Sequence, residues 1–186
     1  MGRYFHHVRV ASECVLSGGI VAYPTEGVYG LGCDPFNADA VGRILQIKGR
    51  PVSKGLIVIA DQIERLTPYL QPLTPEQHQK LAQSWPGPTT WVIPHNGILP
   101  DWVTGGRATV AVRITSHPVA AMLCQSVRMP IVSTSANRSN RPSLTTSFQV
   151  RQQLGKEIDY LLTGRVQTPG HSSTIIDLKS DEQLRA

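Results

Sequence analysis

The chain is short of several things, and each shortage narrows what it does. No apolar run approaches the roughly 20 residues that span a bilayer. The opening stretch, MGRYFHHVRVASECVL, is broken by Ser12, Glu13 and Cys14 and carries no cleavage signature. His6 stands where an N-myristoylation pattern needs Ser or Thr. A soluble, cytoplasmic protein with no membrane partner is the expectation. The cysteines Cys14, Cys33 and Cys124 form no CxxC and no paired spacing, which excludes a disulfide framework and a zinc-ligand pattern and fits reduced thiols. Aromatic residues make up 6% of the chain, too few for the stacking platforms that hold single-stranded RNA. Acidic residues are missing between Asp101 and Glu157, where Arg107, Arg113, Arg128, Arg138, Arg141, Arg151 and Lys156 fall. A second acid-free run holds Arg43, Lys48, Arg50 and Lys54. With a net charge of +5, two such tracts point to a basic concave cleft facing phosphate. The familiar loops are absent as well. There is no GxxxxGK[ST], HExxH or GxSxG, and Gly27, Gly30 and Gly32 read GxxGxG rather than GxGxxG.

What is present fits one domain, residues 1–186, around a single core, with 40% hydrophobic and 17% charged residues. Val8, Ala11, Val15 and Leu16 have helical spacing, stopped by Gly18-Gly19. Ile20 to Tyr23 reads as a buried strand, followed by the Gly-rich loop TEGVYGLGCD. Val41, Ile44 and Leu45 mark a helix ending near Gly49, and Leu56 to Ala60 a second buried strand. Thr74, Pro75 and Gln77 cap a helix that runs to about Trp85. The strands TTWVIP and ATVAVRI, a helix after Pro118, the strand PIVSTSA, a helix over about 146–154, and the late strands DYLL and SSTIIDL follow. Strands and helices interleave throughout, so the class is α/β.

Four segments carry candidate chemistry. In KGRPVSKG, Lys48, Arg50 and Lys54 repel one another unless solvent or an anion screens them. A polyphosphate suits them, and so does the dipole at a helix C-terminus. In STSAN, the hydroxyls of Ser133 and Ser135 and the amide of Asn137 sit at the carboxyl end of an apolar strand, where open sheets bind ligands; a locally bonded polar turn has the same composition. In AYPTEGVYGLGCD, Thr25 and Glu26 lie beside glycines that admit close backbone approach. Arg113 interrupts an apolar strand and wants a carboxylate, supplied by the protein or by a bound amino acid.

In this order, AYPTEGVYGLGCD, Lys48-x-Arg50, WPGP-T, VAVR and Ser135-x-Asn137 resemble the YrdC/TsaC family over about residues 8–185. The resemblance implies a twisted open mixed sheet flanked by helices, and a nucleotidyltransferase. That enzyme would make threonylcarbamoyl-AMP and pyrophosphate from ATP, L-threonine and bicarbonate, beginning a tRNA modification. By this analogy Arg50, Lys54, Thr109, Ser135, Asn137, Ser143 and Arg185 serve ATP, and Thr25, Arg113, Ser133 and Ser173 hold threonine. Lys48 and Arg50 would act electrostatically, with no covalent nucleophile, and Mg2+ would be held mainly by ATP. Glu26 and Asp34 touch that metal or brace their loop. Longer relatives commonly carry a histidine in the strand after Lys-x-Arg, near Val58 here, so a threonine contact is either missing or replaced by Lys54. The chain stops at Arg185-Ala186, which matches the short type that depends on separate tRNA threonylcarbamoyl-transfer proteins. The contrasting class is a non-catalytic module that binds double-stranded RNA or tRNA in the same cleft. A third is a carbamoyl-transfer domain of a larger hydrogenase-maturation protein.

Overall fold

The computed structural model describes residues 2–185, with side chains described from Phe5 onward. Helix α1 (Gly2–Leu16) leads into β1 (Val21–Pro24) and β2 (Tyr29–Gly32). Next come α2 (Ala38–Lys48), β3 (Ile57–Ala60), α3 (Pro75–Ala82), β4 (Thr89–Pro94) and the short α4 (Asp101–Thr104). Then follow β5 (Thr109–Ile114), α5 (Pro118–Val127), β6 (Ile131–Ser135), α6 (Ser147–Leu154), β7 (Tyr160–Leu161), β8 (Thr174–Asp177) and β9 (Gln183–Arg185). The expected cap on α3 forms: Thr74 Oγ1 accepts from Gln77 N and Gln77 Oε1 accepts from Thr74 N, which satisfies two amides that the helix itself leaves open. Thr146 and Gln149 repeat the device on α6. Asn37 Oδ1 caps α2 at Ala40 N, 2.9 Å away.

The strands form one mixed sheet in the order β7-β1-β2-β6-β3-β5-β4-β8-β9. Pairs β1–β7, β3–β5 and β4–β8 are parallel, and the others are antiparallel. Side chains alternate across it. Ala22, Leu31, Val58, Val112 and Val132 face Val41, Ile44 and Leu45 of α2, with Leu81 of α3 and Val150 and Leu154 of α6 in the same core. On the opposite face Val21, Tyr23, Ile59 and Ile131 pack with Val8, Ala11 and Val15 of α1 and Val119, Leu123 and Val127 of α5. Each fully buried aliphatic side chain contributes roughly 2 kcal/mol. Helices α1 and α5 cover only part of their face, and the remainder is the open concavity described below.

Two strands differ from expectation. The Gly-rich segment contains β2, which joins β1 to β6. Its glycines are strand residues because the Tyr23 ring lies over them: a Cβ on Gly32 would sit 2.8 Å from Tyr23 Cε1 and 2.7 Å from Val132 O. The C-terminal β9 closes the far edge against β8. Helix α3 ends at Ala82, before Trp85. Among the described residues no helix is long and apolar enough to cross a membrane.

Two glycines give opposite predictions. Gly32→Ala forces backbone and ring apart and should lower stability by roughly 1–3 kcal/mol. A Cβ on Gly42, inside α2, meets nothing within 4 Å, so Gly42→Ala should raise stability by roughly 0.5–1 kcal/mol. Urea titration reads both, and a Gly32→Ala midpoint equal to that of the unmodified chain contradicts the packing described.

Candidate active site

The uncovered part of the α1/α5 face holds a cavity of about 480 Å³. Its floor is a row of paired positions: Ser133 beside Ile57, Ile57 beside Ala111, and Ala111 beside Val92. Small side chains at Gly30, Ser133 and Ala111 leave the concavity unfilled. The walls bring together residues far apart in sequence. Lys48, Arg50, Lys54, Arg107, Arg113 and Arg185 all line it, against the single carboxylate, that of Glu26, among the described residues. Such an imbalance in a partly enclosed space favours an anionic ligand.

These cations differ in how far the protein already uses them. Lys48 is 4% exposed at the end of α2. Its Nζ donates to Ser135 O at 2.6 Å, Asn137 O at 2.9 Å and Asn137 Oδ1 at 3.1 Å, with Ser135 Oγ at 3.4 Å. An ammonium has three protons, so Lys48 shapes the Ser135–Asn137 loop and has no proton left for a ligand. Burial, reinforced by Arg50, pulls its pKa down to about 8. Ser135 Oγ donates to Asn137 Oδ1 at 2.6 Å, which fixes the amide. Arg50 Nε and Nη2 donate to Gly55 O, and Nη2 also to Lys54 O, clamping the turn that carries Lys54. Arg185, on β9, donates through Nε and Nη2 to Ser173 O and through Nη2 to Ser173 Oγ, and that hydroxyl also accepts from Thr90.

Arg113 finds a partner within the protein: its Nη1 lies 3.4 Å from Glu26 Oε2, with both side chains buried. Its Nε is buried without a hydrogen-bond partner. Glu26 Oε1 accepts from Thr115 Oγ1 and Ser116 N, each at 2.8 Å, and from Ser116 Oγ. Burial pushes the Glu26 carboxyl up, but Arg113 and these donors outweigh it, and the net shift is downward. Glu26 therefore braces its loop as an anion. Asp34 Oδ1 accepts from Phe36 N at 2.8 Å, which holds the turn after β2. Thr25 Oγ1 donates to Val28 O at 2.7 Å and stays able to accept. Segment 164–173 closes this end: Gln167 N and Thr168 N donate to Glu26 O, and Gly170 N to Gly27 O. A Cβ on Gly27 would sit 1.6 Å from His171 O, so only glycine lets the segment dock.

The cavity thus gathers Thr25, Lys48, Arg50, Lys54, Thr109, Arg113, Ser133, Ser135, Asn137, Ser173 and Arg185. Ser143, half-buried on the way to α6, is not among its lining residues. Val58 lies in the core on the other face of the sheet, and Ile57 lines the cavity instead. Arg107 and His171 also line it, and sequence reasoning singled out neither. Arg107 had a signal, its place in the long acid-free tract; His171 had none.

The matching family model, Sua5/YciO/YrdC, described as telomere recombination, covers residues 13–186. The chain belongs to the Sua5/YciO/YrdC family. A threonylcarbamoyl-AMP synthase of Nitrosococcus oceani is 47% identical over 96% of each chain. One of Halorhodospira halophila is 49% identical over 96% of this chain and 93% of that one. Among solved structures, P. abyssi Sua5 complexed with L-threonine superposes with a TM-score of 0.88 at 36% identity, covering 95% of this chain. This chain spans only 52% of that longer Sua5 protein.

A pH effect on stability follows from His117, which is 2% exposed. Its Nδ1 accepts from Val119 N at the start of α5, and its Nε2 donates to Arg165 O, which ties segment 164–173 down in the neutral ring form. Burial lowers its pKa, partly opposed by the Arg165 carbonyl. The unfolded chain therefore takes up the proton first. The stabilisation is complete above the unfolded value of about 6.5 and is lost as pH falls from there through the folded value. Denaturant titrations at stepped pH should show stability falling below about pH 6.5, with a shallower slope in His117→Gln; identical slopes contradict this assignment.

Proposed function

We propose that this chain condenses L-threonine, bicarbonate and ATP into threonylcarbamoyl-AMP and pyrophosphate, the activating step of a tRNA modification. The observation that carries this reading is the convergence in one cavity of an anion-binding end, Arg50 and Lys54, with a small hydroxyl-lined end around Arg113. The near full-length relatives named threonylcarbamoyl-AMP synthase support it.

The chemistry needs alignment more than a nucleophilic side chain. The amine of threonine adds to CO2 derived from bicarbonate, loses a proton and becomes a carbamate. A carbamate oxygen attacks the α-phosphorus. The new O–P bond forms as the bond to the bridging oxygen breaks, and pyrophosphate leaves with that electron pair. Arg113, which lines the cavity, is the group for the threonine carboxylate, and Thr25, Ser133 and Ser173 offer hydroxyls to the rest of the amino acid. Arg50 and Lys54 offset charge on the phosphates, and Ser135 and Asn137, held by Lys48, shape the adjoining wall. Holding both reactants in register supplies much of the acceleration. Thr109 and Arg185 belong to the nucleotide side in this reading; Ser143 would have to reach it by movement of its segment.

Mg2+ fits only as an ion carried by the nucleotide, where it would neutralise phosphate charge. Glu26 accepts hydrogen bonds at Oε1 and is ion-paired with Arg113 at Oε2, and among the described residues no group of three or more His, Cys, Asp or Glu is placed to hold a metal. Transfer of the product to tRNA falls to separate proteins.

Pyrophosphate release should require ATP, threonine and bicarbonate together, with serine and valine as weak substitutes. Release indifferent to threonine, or none from folded, magnesium-supplied protein, contradicts the proposal and favours an RNA-binding role for the cleft.

A further inference from the structure

Arg107 lies on the segment between α4 and β5, and its backbone is fixed from both sides. His95 Nε2 donates to Arg107 O at 2.7 Å, and His95 N donates to Ala108 O at 3.1 Å. The preceding residues are pressed against the turn that carries Lys54. Leu56 N donates to Val103 O at 2.8 Å, and a Cβ on Gly105 would sit 2.8 Å from Ser53 O. The side chain itself is exposed, lines the cavity and makes no ion pair among the described residues. It is close enough to Arg50 that its charge, after burial, helps lower the Arg50 pKa. A guanidinium on a fixed stretch of backbone, sharing a cavity with Arg50 and Lys54 and with no ion pair among the described residues, is unfavourable until a multiply charged anion arrives. Arg107 is thus available to such an anion, and among the described residues its guanidinium serves no ion pair of the protein.

We propose that Arg107 binds the terminal phosphates of the nucleotide and stays with pyrophosphate as it leaves. This deepens the nucleotide reading given above and rests on it. Negative charge builds on the bridging oxygen and the two outer phosphates as the bond to the α-phosphorus breaks, so a donor placed there favours the transition state over the bound substrate. It also gives the site a basis for telling ATP from the adenylate it produces: the adenylate has no group for Arg107 to hold.

The test is calorimetric titration of the chain and of Arg107→Gln with ATP, inorganic pyrophosphate and AMP at fixed ionic strength. The variant should bind ATP and pyrophosphate about tenfold more weakly, the loss expected for a charged contact, and AMP within about twofold of the unmodified chain. ATP and pyrophosphate affinities unchanged by the substitution overturn the assignment. So does a loss for AMP equal to that for ATP, because Arg107 would then act through a general field. A chain that binds ATP and pyrophosphate through Arg107 but releases no pyrophosphate with threonine and bicarbonate sinks the synthase reading and leaves the Arg107 assignment standing. A chain that binds neither ATP nor pyrophosphate overturns both.

Discussion

Glu26 is the carboxylate around which one end of the cavity is built. One oxygen takes Thr115 and Ser116, the other faces Arg113, and its backbone carbonyl takes Gln167 and Thr168. Three segments meet there: the turn after β1, the end of β5 and segment 164–173. A buried carboxylate without partners is costly, and removing one member of a buried ion pair is strongly destabilising. The arrangement therefore persists only if all three segments keep their places, which in turn keeps Arg113, Thr25 and Ser173 around one space. Lys48 does the corresponding work at the other end. Its ammonium gathers Ser135 and Asn137 against the end of α2, and Ser139 N donates back to Lys48 O.

The charged groups around the cavity therefore divide by task. Lys48, with its three protons donated, and Glu26, hydrogen-bonded at Oε1 and ion-paired at Oε2, hold walls. Arg113 lines the cavity beside its ion pair with Glu26, Arg50 keeps Nη1 outside its contacts with Lys54 and Gly55, and Lys54 and Arg107 make no ion pair among the described residues. Preorganised donors of this kind need little rearrangement when a charged ligand enters, which is the source of their effect on rate. The floor of the cavity is mostly apolar, with Ser133 beside Ile57, Ala111 and Val92, so recognition of a small amino acid rests on a few hydroxyls and one guanidinium.

Much of the fold could be read from the chain because the helices are capped where they should be and the buried strands are continuous apolar runs. Thr74, Pro75 and Gln77 mark α3, and LIVIA and PIVSTSA mark β3 and β6. Strand β2 was not legible: Tyr29-Gly-Leu-Gly lacks β-branched residues, and its glycines serve a ring, Tyr23, whose position is known only once β1 and β2 pair. The cations of the cavity were visible as acid-free tracts, but not their division of labour. Lys48 and Ser135 are separated by 87 residues, and nothing local says that the lysine is used up by the loop. Arg113 called for a carboxylate, and the sequence left open whether the protein supplied it; Glu26 does, through Nη1.

The central claim is that one cavity seats the amino acid and the nucleotide side by side, with the carboxylate at Arg113 and the phosphates between Arg50 and Lys54. A crystal structure of the chain with L-threonine and a non-hydrolysable ATP analogue tests it most directly. The account predicts the threonine carboxylate within hydrogen-bond distance of the Arg113 guanidinium, the triphosphate against Arg50 and Lys54, and the threonine nitrogen on the side facing the α-phosphate. Threonine bound elsewhere, or the triphosphate seated outside the cavity, would contradict it.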